Sequence, residues 1–129
     1  MNELETYISS YFGIRSISKP ESISSLFEHK VYNKGAMILQ EGKICNYLNF
    51  VQSGLFRLFA YVDGKEVTQW ISTKGYFVVD LSSFMTQTPS KWNIQAITDG
   101  ELYAISKTQC NQLEEVVPEW KKLEKLIFC

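Results

Sequence analysis

Leu55–Thr73, LFRLFAYVDGKEVTQWIST, is the stretch on which the fold turns. Two runs rich in aromatic and β-branched residues, LFRLFAYV and KEVTQWI, flank Asp63-Gly64. Such side chains favour extended backbone because they pack well on a pleated surface. An Asp-Gly pair supplies the positive-φ positions that a two-residue turn requires. The stretch therefore predicts two antiparallel strands joined at Asp63-Gly64. The same rhythm continues outward, through VYNKGAMILQEG and YLNFVQSG on one side and Asn93–Ile97 and Glu101–Ile105 on the other. Asp99-Gly100, between the last two runs, reads as a second hairpin turn, and the sheet is expected to continue to about Ser106.

Helical spacing brackets this β region. Leu4, Tyr7, Ile8, Tyr11 and Phe12 recur at three- and four-residue intervals, which predicts a short helix with one apolar face ending at Gly13. Ser18-Lys19-Pro20-Glu21, followed by Ile23, Leu26 and Phe27, predicts a second. After Ser106 the spacing returns, with Cys110 and Leu113 on one stripe and Trp120, Leu123, Leu126 and Ile127 on another. Pro118 suits the first turn of the last helix. The expected fold class is mainly β, with short N-terminal helices and C-terminal helices.

A chain of 129 residues supports one compact domain with its own core. Apolar residues make up 45% and charged residues 21%, a globular mixture rather than a disordered one. The formal net charge is -1, from 13 basic and 14 acidic residues, so no global field draws the chain to nucleic acid or an anionic membrane. Cys45, Cys110 and Cys129 are odd in number and widely separated, which fits neither a disulfide framework nor paired metal-ligand spacing. A reducing cytoplasm follows, and no metal or cofactor is expected. The opening MNELETYISSYF lacks the basic region and apolar run of a secretory signal, and no stretch approaches a bilayer span.

The order of turns carries a resemblance. Lys34-Gly35 precedes a strand, Gln40-Glu41-Gly42 marks a turn, Phe50-Val51-Gln52-Ser53-Gly54 leads to the next strand, and Asp63-Gly64-Lys65-Glu66 forms the hairpin. With Gly75, Ala96 and the terminal helices, this pattern resembles the cyclic-nucleotide-binding domain of the catabolite-activator and fumarate-nitrate regulator superfamily over nearly the whole chain. The resemblance implies a double-stranded β-helix of jelly-roll type, closed so that its edges are protected, with a ligand held by the strands and a short inserted helix. In such proteins a phosphate cassette reads approximately Gly-X-Phe-Phe-Gly-Glu-Leu-Ser-Leu-Leu, then Arg-Ser-Ala or Arg-Thr-Ala before a strand ending in Ala.

Gly75–Phe84, GYFVVDLSSF, lies over the first part without gaps, which places Val79 on the glycine and Asp80 on the glutamate. A β-branched Val79 adds bulk where phosphate would approach backbone amides. Asp80 retains a carboxylate able to accept from a ribose hydroxyl, on a side chain one methylene shorter. Counting back from Ala96 puts Ser90-Lys91-Trp92 on the Arg-Ser/Thr-Ala positions, so Ser90 stands where the resemblance implies the phosphate-binding arginine. Serine lacks arginine's positive bidentate fork. Lys91, one residue along an extended chain, points to the opposite face, and Trp92 either fills space a small alanine leaves open, points outward or shields the pocket mouth. Ordinary cyclic AMP binding is not expected.

Two readings of the cassette stay open. Phe77, Val79, Phe84 and Ile94 serve as core, with Asp80 capping the inserted helix through the amide of Ser82 or Ser83. Alternatively, Phe77, Val79, Asp80, Ser82, Ser83, Ser90, Lys91 and Trp92 line a ligand site, where these hydroxyls with Thr86 and Thr88 point to a neutral or weakly polar small-molecule effector. Arg57, Lys65 and Lys91 are separated basics that read as solvated charges, Met37 and Met85 as packing, and Trp70 as a sheet-core or interface residue. A cupin-like enzyme would need clustered histidine and carboxylate ligands, yet His29 is the only histidine. No nucleophile elbow or Walker loop is present, and neither Cys45 nor Cys110 has an activating neighbour in sequence. No enzymatic function is expected.

Trp120, Leu123, Leu126 and Ile127 would bury one helical face against a second copy, giving a homodimer or a ligand-independent dimerisation scaffold. Complete members of the resembled superfamily continue through a long dimerisation helix into a DNA-reading helix-turn-helix. The expected organisation is a sensor domain over residues 1–117 and the start of a dimerisation helix over 118–129. No DNA-binding domain is expected within these residues, and no direct DNA contact is expected from them alone.

Overall fold

The computed structural model describes residues 26–116. The strands are β1 (Glu28–Tyr32), β2 (Met37–Leu39), β3 (Tyr47–Ser53), β4 (Phe56–Val62), β5 (Lys65–Ser72), β6 (Phe77–Val78), β7 (Asn93–Ala96) and β8 (Gly100–Ser106). Helix α1 (Leu81–Thr86) lies between β6 and β7, and α2 (Lys107–Val116) follows β8. One sheet has the order β1-β8-β3-β6 and the other β2-β7-β4-β5, with every pair antiparallel. The chain changes sheet at each connection except β4 to β5, which winds it into the expected jelly-roll-like fold. The helices expected before residue 26 and the one expected after Pro118 lie outside the described residues.

The β4–β5 hairpin forms as the sequence predicts. Val62 pairs with Lys65, and Asp63 and Gly64 both take positive φ, 53° and 76°, the pattern of a type I′ turn. The second hairpin does not form. β7 pairs with β2 and β4 while β8 pairs with β1 and β3, so Asp99-Gly100 crosses between sheets. Its neighbours are recruited elsewhere: the Ile97 N–H donates to the Leu55 carbonyl at 2.8 Å, and the Lys34 N–H to Asp99 Oδ1 at 2.7 Å. Gly100 is needed for space instead. A Cβ there would stand 2.7 Å from the Ser53 carbonyl oxygen and 2.9 Å from the Phe56 ring. One on Gly54 would meet the Asp99 carbonyl oxygen at 2.5 Å, at a φ of +82° that already disfavours side chains.

Phe50, Phe56, Ile94, Leu102 and Ile105 are fully buried, and Tyr32 of one sheet meets Phe56 of the other edge-on at 6.4 Å between centroids. β5 is an edge strand, and all of it except Ser72 is exposed. A register shift pairs Leu58 with Trp70 and Phe59 with Thr68, leaving Gln69 as a bulge. The return to helix occurs at Lys107 through a reciprocal cap. The Gln109 N–H donates to Ser106 Oγ at 3.2 Å, and the Ser106 N–H to Gln109 Oε1 at 3.3 Å. Cys110 on this helix is fully buried.

Candidate functional site

Asp80 leaves β6 in an extended conformation, with φ -90° and ψ 97°, and becomes the N-cap of α1. Its Oδ1 accepts from the Ser83 N–H at 3.2 Å. Its other carboxylate oxygen accepts from the Ser90 hydroxyl, and Ser90 Oγ in turn accepts from the Trp92 N–H at 3.0 Å. Ser83 Oγ donates to the Thr88 carbonyl at 2.5 Å and accepts from the Cys45 N–H at 2.8 Å. Asp80, Ser83 and Ser90 are all buried, Asp80 at 6% exposure. Buried polar groups are costly unless paired, and here each is paired within the chain. α1 then closes at Gln87, whose left-handed φ of 55° directs its N–H to the Ser83 carbonyl at 2.7 Å.

Burial pushes the Cys45 thiol above its ordinary pKa, and the nearby Asp80 charge acts in the same direction, against backbone hydrogen bonds from Asp80 and Tyr47 that lower it. The thiol therefore stays protonated and is not a ready nucleophile.

The sequence-derived site residues separate into groups. Phe77 and Val79 line a cavity of about 230 Å³, together with Leu48, Leu58, Trp70, Tyr76, Val78 and Leu81. Asp80, Ser83 and Ser90 form the buried network just described. Ser82 and Lys91 are exposed, and Trp92 is half-buried. The cavity thus has aliphatic and aromatic walls without a charged side chain. Leu58 and Trp70 escape a reading of sequence alone. A regular register counted from the turn sets Leu58 opposite Gln69, and only the bulge brings Trp70 there. Trp70 is neither core nor shielded, at 56% exposure.

Arg57 does not supply the missing cation. Its guanidinium lies 3.0 Å from a Glu66 carboxylate oxygen, donates to Gln95 Oε1 at 2.6 Å, and stacks 3.8 Å from the Phe59 ring centroid. Lys65 is exposed. His29 sits on β1, 3.8 Å from Glu101. Among the described residues no group of three or more His, Cys, Asp or Glu side chains could hold a metal ion, so cupin-type chemistry has no ligand set there.

Two facing sheets, wound so that a short helix enters between β6 and β7 beside a cavity, define a β-roll of jelly-roll type. Residues 29–115 match the cyclic nucleotide-binding domain family, and the chain belongs to it. The fold is similar to that of the catabolite activator protein of Thermus thermophilus, with a TM-score of 0.82 and 22% identity over 91% of this chain and 55% of that one. It is also similar to the sensor domain of the transcriptional regulator DNR from Pseudomonas aeruginosa, with a TM-score of 0.76 and 18% identity over 97% and 87% of the two chains. The regulatory domain of Toxoplasma gondii PKA, crystallised with cAMP, gives a TM-score of 0.75 and 16% identity over 87% of this chain and 45% of that one. The chain spans 55% of the Thermus protein's length. No curated protein sequence matches it significantly. Among the described residues no helix is long and apolar enough to cross a membrane.

Proposed function

We propose that this non-catalytic regulatory domain is the sensor unit of a transcription regulator and that its cassette does not take cyclic AMP in the usual way. The carrying observation is the bond between Ser90 and Asp80. A ribose hydroxyl would have to reach a buried carboxylate that already accepts from Ser90 and the Ser83 amide, and a phosphate would need a cation where the chain has Ser90. Residues 1–117 form the sensing unit in this reading. Residues 118–129 open a dimerisation helix, with Trp120, Leu123, Leu126 and Ile127 on its contact face. Direct DNA contact is left to a separate helix positioned for a groove.

A second reading is a neutral effector in the 230 Å³ cavity, favoured by its uncharged walls and by exposed Trp70 and Tyr76 beside it. Calorimetric titration of the whole chain with cyclic AMP, read in parallel through tryptophan emission, tests the main reading. No saturable heat and no emission change are expected up to about 100 μM, well above the micromolar affinity that corresponds to about 8 kcal/mol. Saturable 1:1 binding in that range would overturn it.

A further inference from the structure

A second cavity, of about 280 Å³, lies between β2, the start of β3 and the loop joining them, and its lining includes Met37, Ile38, Leu39, Ile44, Tyr47 and Asn49. Most of that wall is apolar, while Gln40, Lys43 and Asn46 are exposed polar residues on the same lining. Asn49 is the exception within it. It is 3% exposed, and its Nδ2 donates to the Val78 carbonyl at 3.2 Å. No donor among the described residues reaches its Oδ1, so a largely buried residue of the lining keeps an acceptor that a ligand can use.

We propose that this cavity binds a small, uncharged, largely apolar molecule carrying one hydrogen-bond donor, of which a phenol is the simplest case, with its hydroxyl on Asn49 Oδ1. An apolar cavity of about 150 Å³ accommodates benzene, and sites for drug-sized ligands begin near roughly 300 Å³, so the space suits a molecule of one or two small rings. The charge of Lys43 is at the exposed side, leaving Asn49 as the interior polar contact.

The wall of this cavity is fastened to the cassette. The Gly42 N–H donates to the Ser90 carbonyl at 2.8 Å, and the Ser90 N–H to the Lys43 carbonyl at 2.7 Å. Ile44 bridges Pro89, and the Cys45 N–H reaches Ser83 Oγ. A molecule that orders Lys43–Asn46 therefore stabilises the Asp80–Ser83–Ser90 network, making the cavity an effector site that acts on the cassette from the β2–β3 side. This proposal does not depend on the cassette's own ligand.

The test titrates the whole chain with phenol and with toluene, its counterpart in shape without the donor, following backbone amide resonances. Phenol is expected to bind saturably, about tenfold more tightly than toluene, with shifts at Ile38, Ile44 and Asn49 accompanied by shifts at Ser83 and Ser90. Asn49→Leu should abolish the preference for phenol. Ile44→Trp, which fills the cavity without touching the Asn49–Val78 bond, should block both molecules while the chain stays folded, and it decides the matter if Asn49→Leu unfolds. Absence of saturable binding, equal binding of phenol and toluene, or undiminished binding to Ile44→Trp would each overturn the proposal. Cyclic AMP binding would bear on the cassette reading alone.

Discussion

The cassette and the β4–β5 hairpin invert the usual assignment of polar residues to the outside and apolar ones to the inside. In Asp80–Ser90 the polar side chains Asp80, Ser83 and Ser90 are buried and satisfy one another. In the hairpin, Tyr61, Val62, Val67, Trp70 and Ile71 are exposed, while polar Ser72 is fully buried. Serine-rich composition beside a cavity therefore does not identify ligand contacts. What matters is whether each hydroxyl already has a partner, and here the cavity-lining role falls to residues that resemble ordinary core.

The largest effect that would break this contrast is at Asp80. Asp80→Ala removes the α1 cap and leaves the Ser83 amide and the Ser90 hydroxyl without their acceptor, so a loss of about 2–4 kcal/mol is expected in urea unfolding. A change under about 0.5 kcal/mol would mean that the network is not structural and that Asp80 is free for a ligand. Trp70→Ala sharpens the comparison from the other side. With Trp70 more than half exposed, the expected loss is below about 1 kcal/mol, and a loss above about 3 kcal/mol would return Trp70 to the core.

The smallest effect concerns pH. Because the Cys45 pKa is raised in the fold, the unfolded chain loses the thiol proton first as pH rises. Stability should then fall from about pH 8.5 upward until the folded thiol also ionises, at no more than about 1.4 kcal/mol per pH unit from this group. Cys45→Ala should flatten the slope between about pH 8 and 10 relative to the parent chain, and identical slopes would show that the thiol is not desolvated.

Local signals made much of the fold legible. The Asp63-Gly64 turn, the strand rhythm up to Ser106 and the return to helix at Lys107 each depend on neighbours within a few residues. Asp99-Gly100 departs from its expected hairpin for the same reason. The dipeptide is equally suited to a tight turn and to a close crossing, and only contacts with Leu55, Lys34 and Gly54, remote in sequence, select the crossing. That serine stands at position 90, where the resemblance implies an arginine, is visible in the sequence, but its bond to Asp80 is not, because nine residues of intervening helix and loop must fold before the two side chains meet. Trp70 was obscured by the bulge at Gln69, which no turn residue announces.

The exposed edge at β5 carries a consequence for handling the protein. Among the described residues β5 pairs on one side alone, so this eight-residue strand with apolar Val67, Trp70 and Ile71 is a template on which another extended chain can pair, the first step toward ordered aggregates. The charges of Lys65 and Glu66 and the bulge at Gln69 interrupt the flat surface such growth requires. Exchanging Lys65 or Glu66 for an apolar residue would remove that interruption and should hasten ordered aggregation in concentrated preparations.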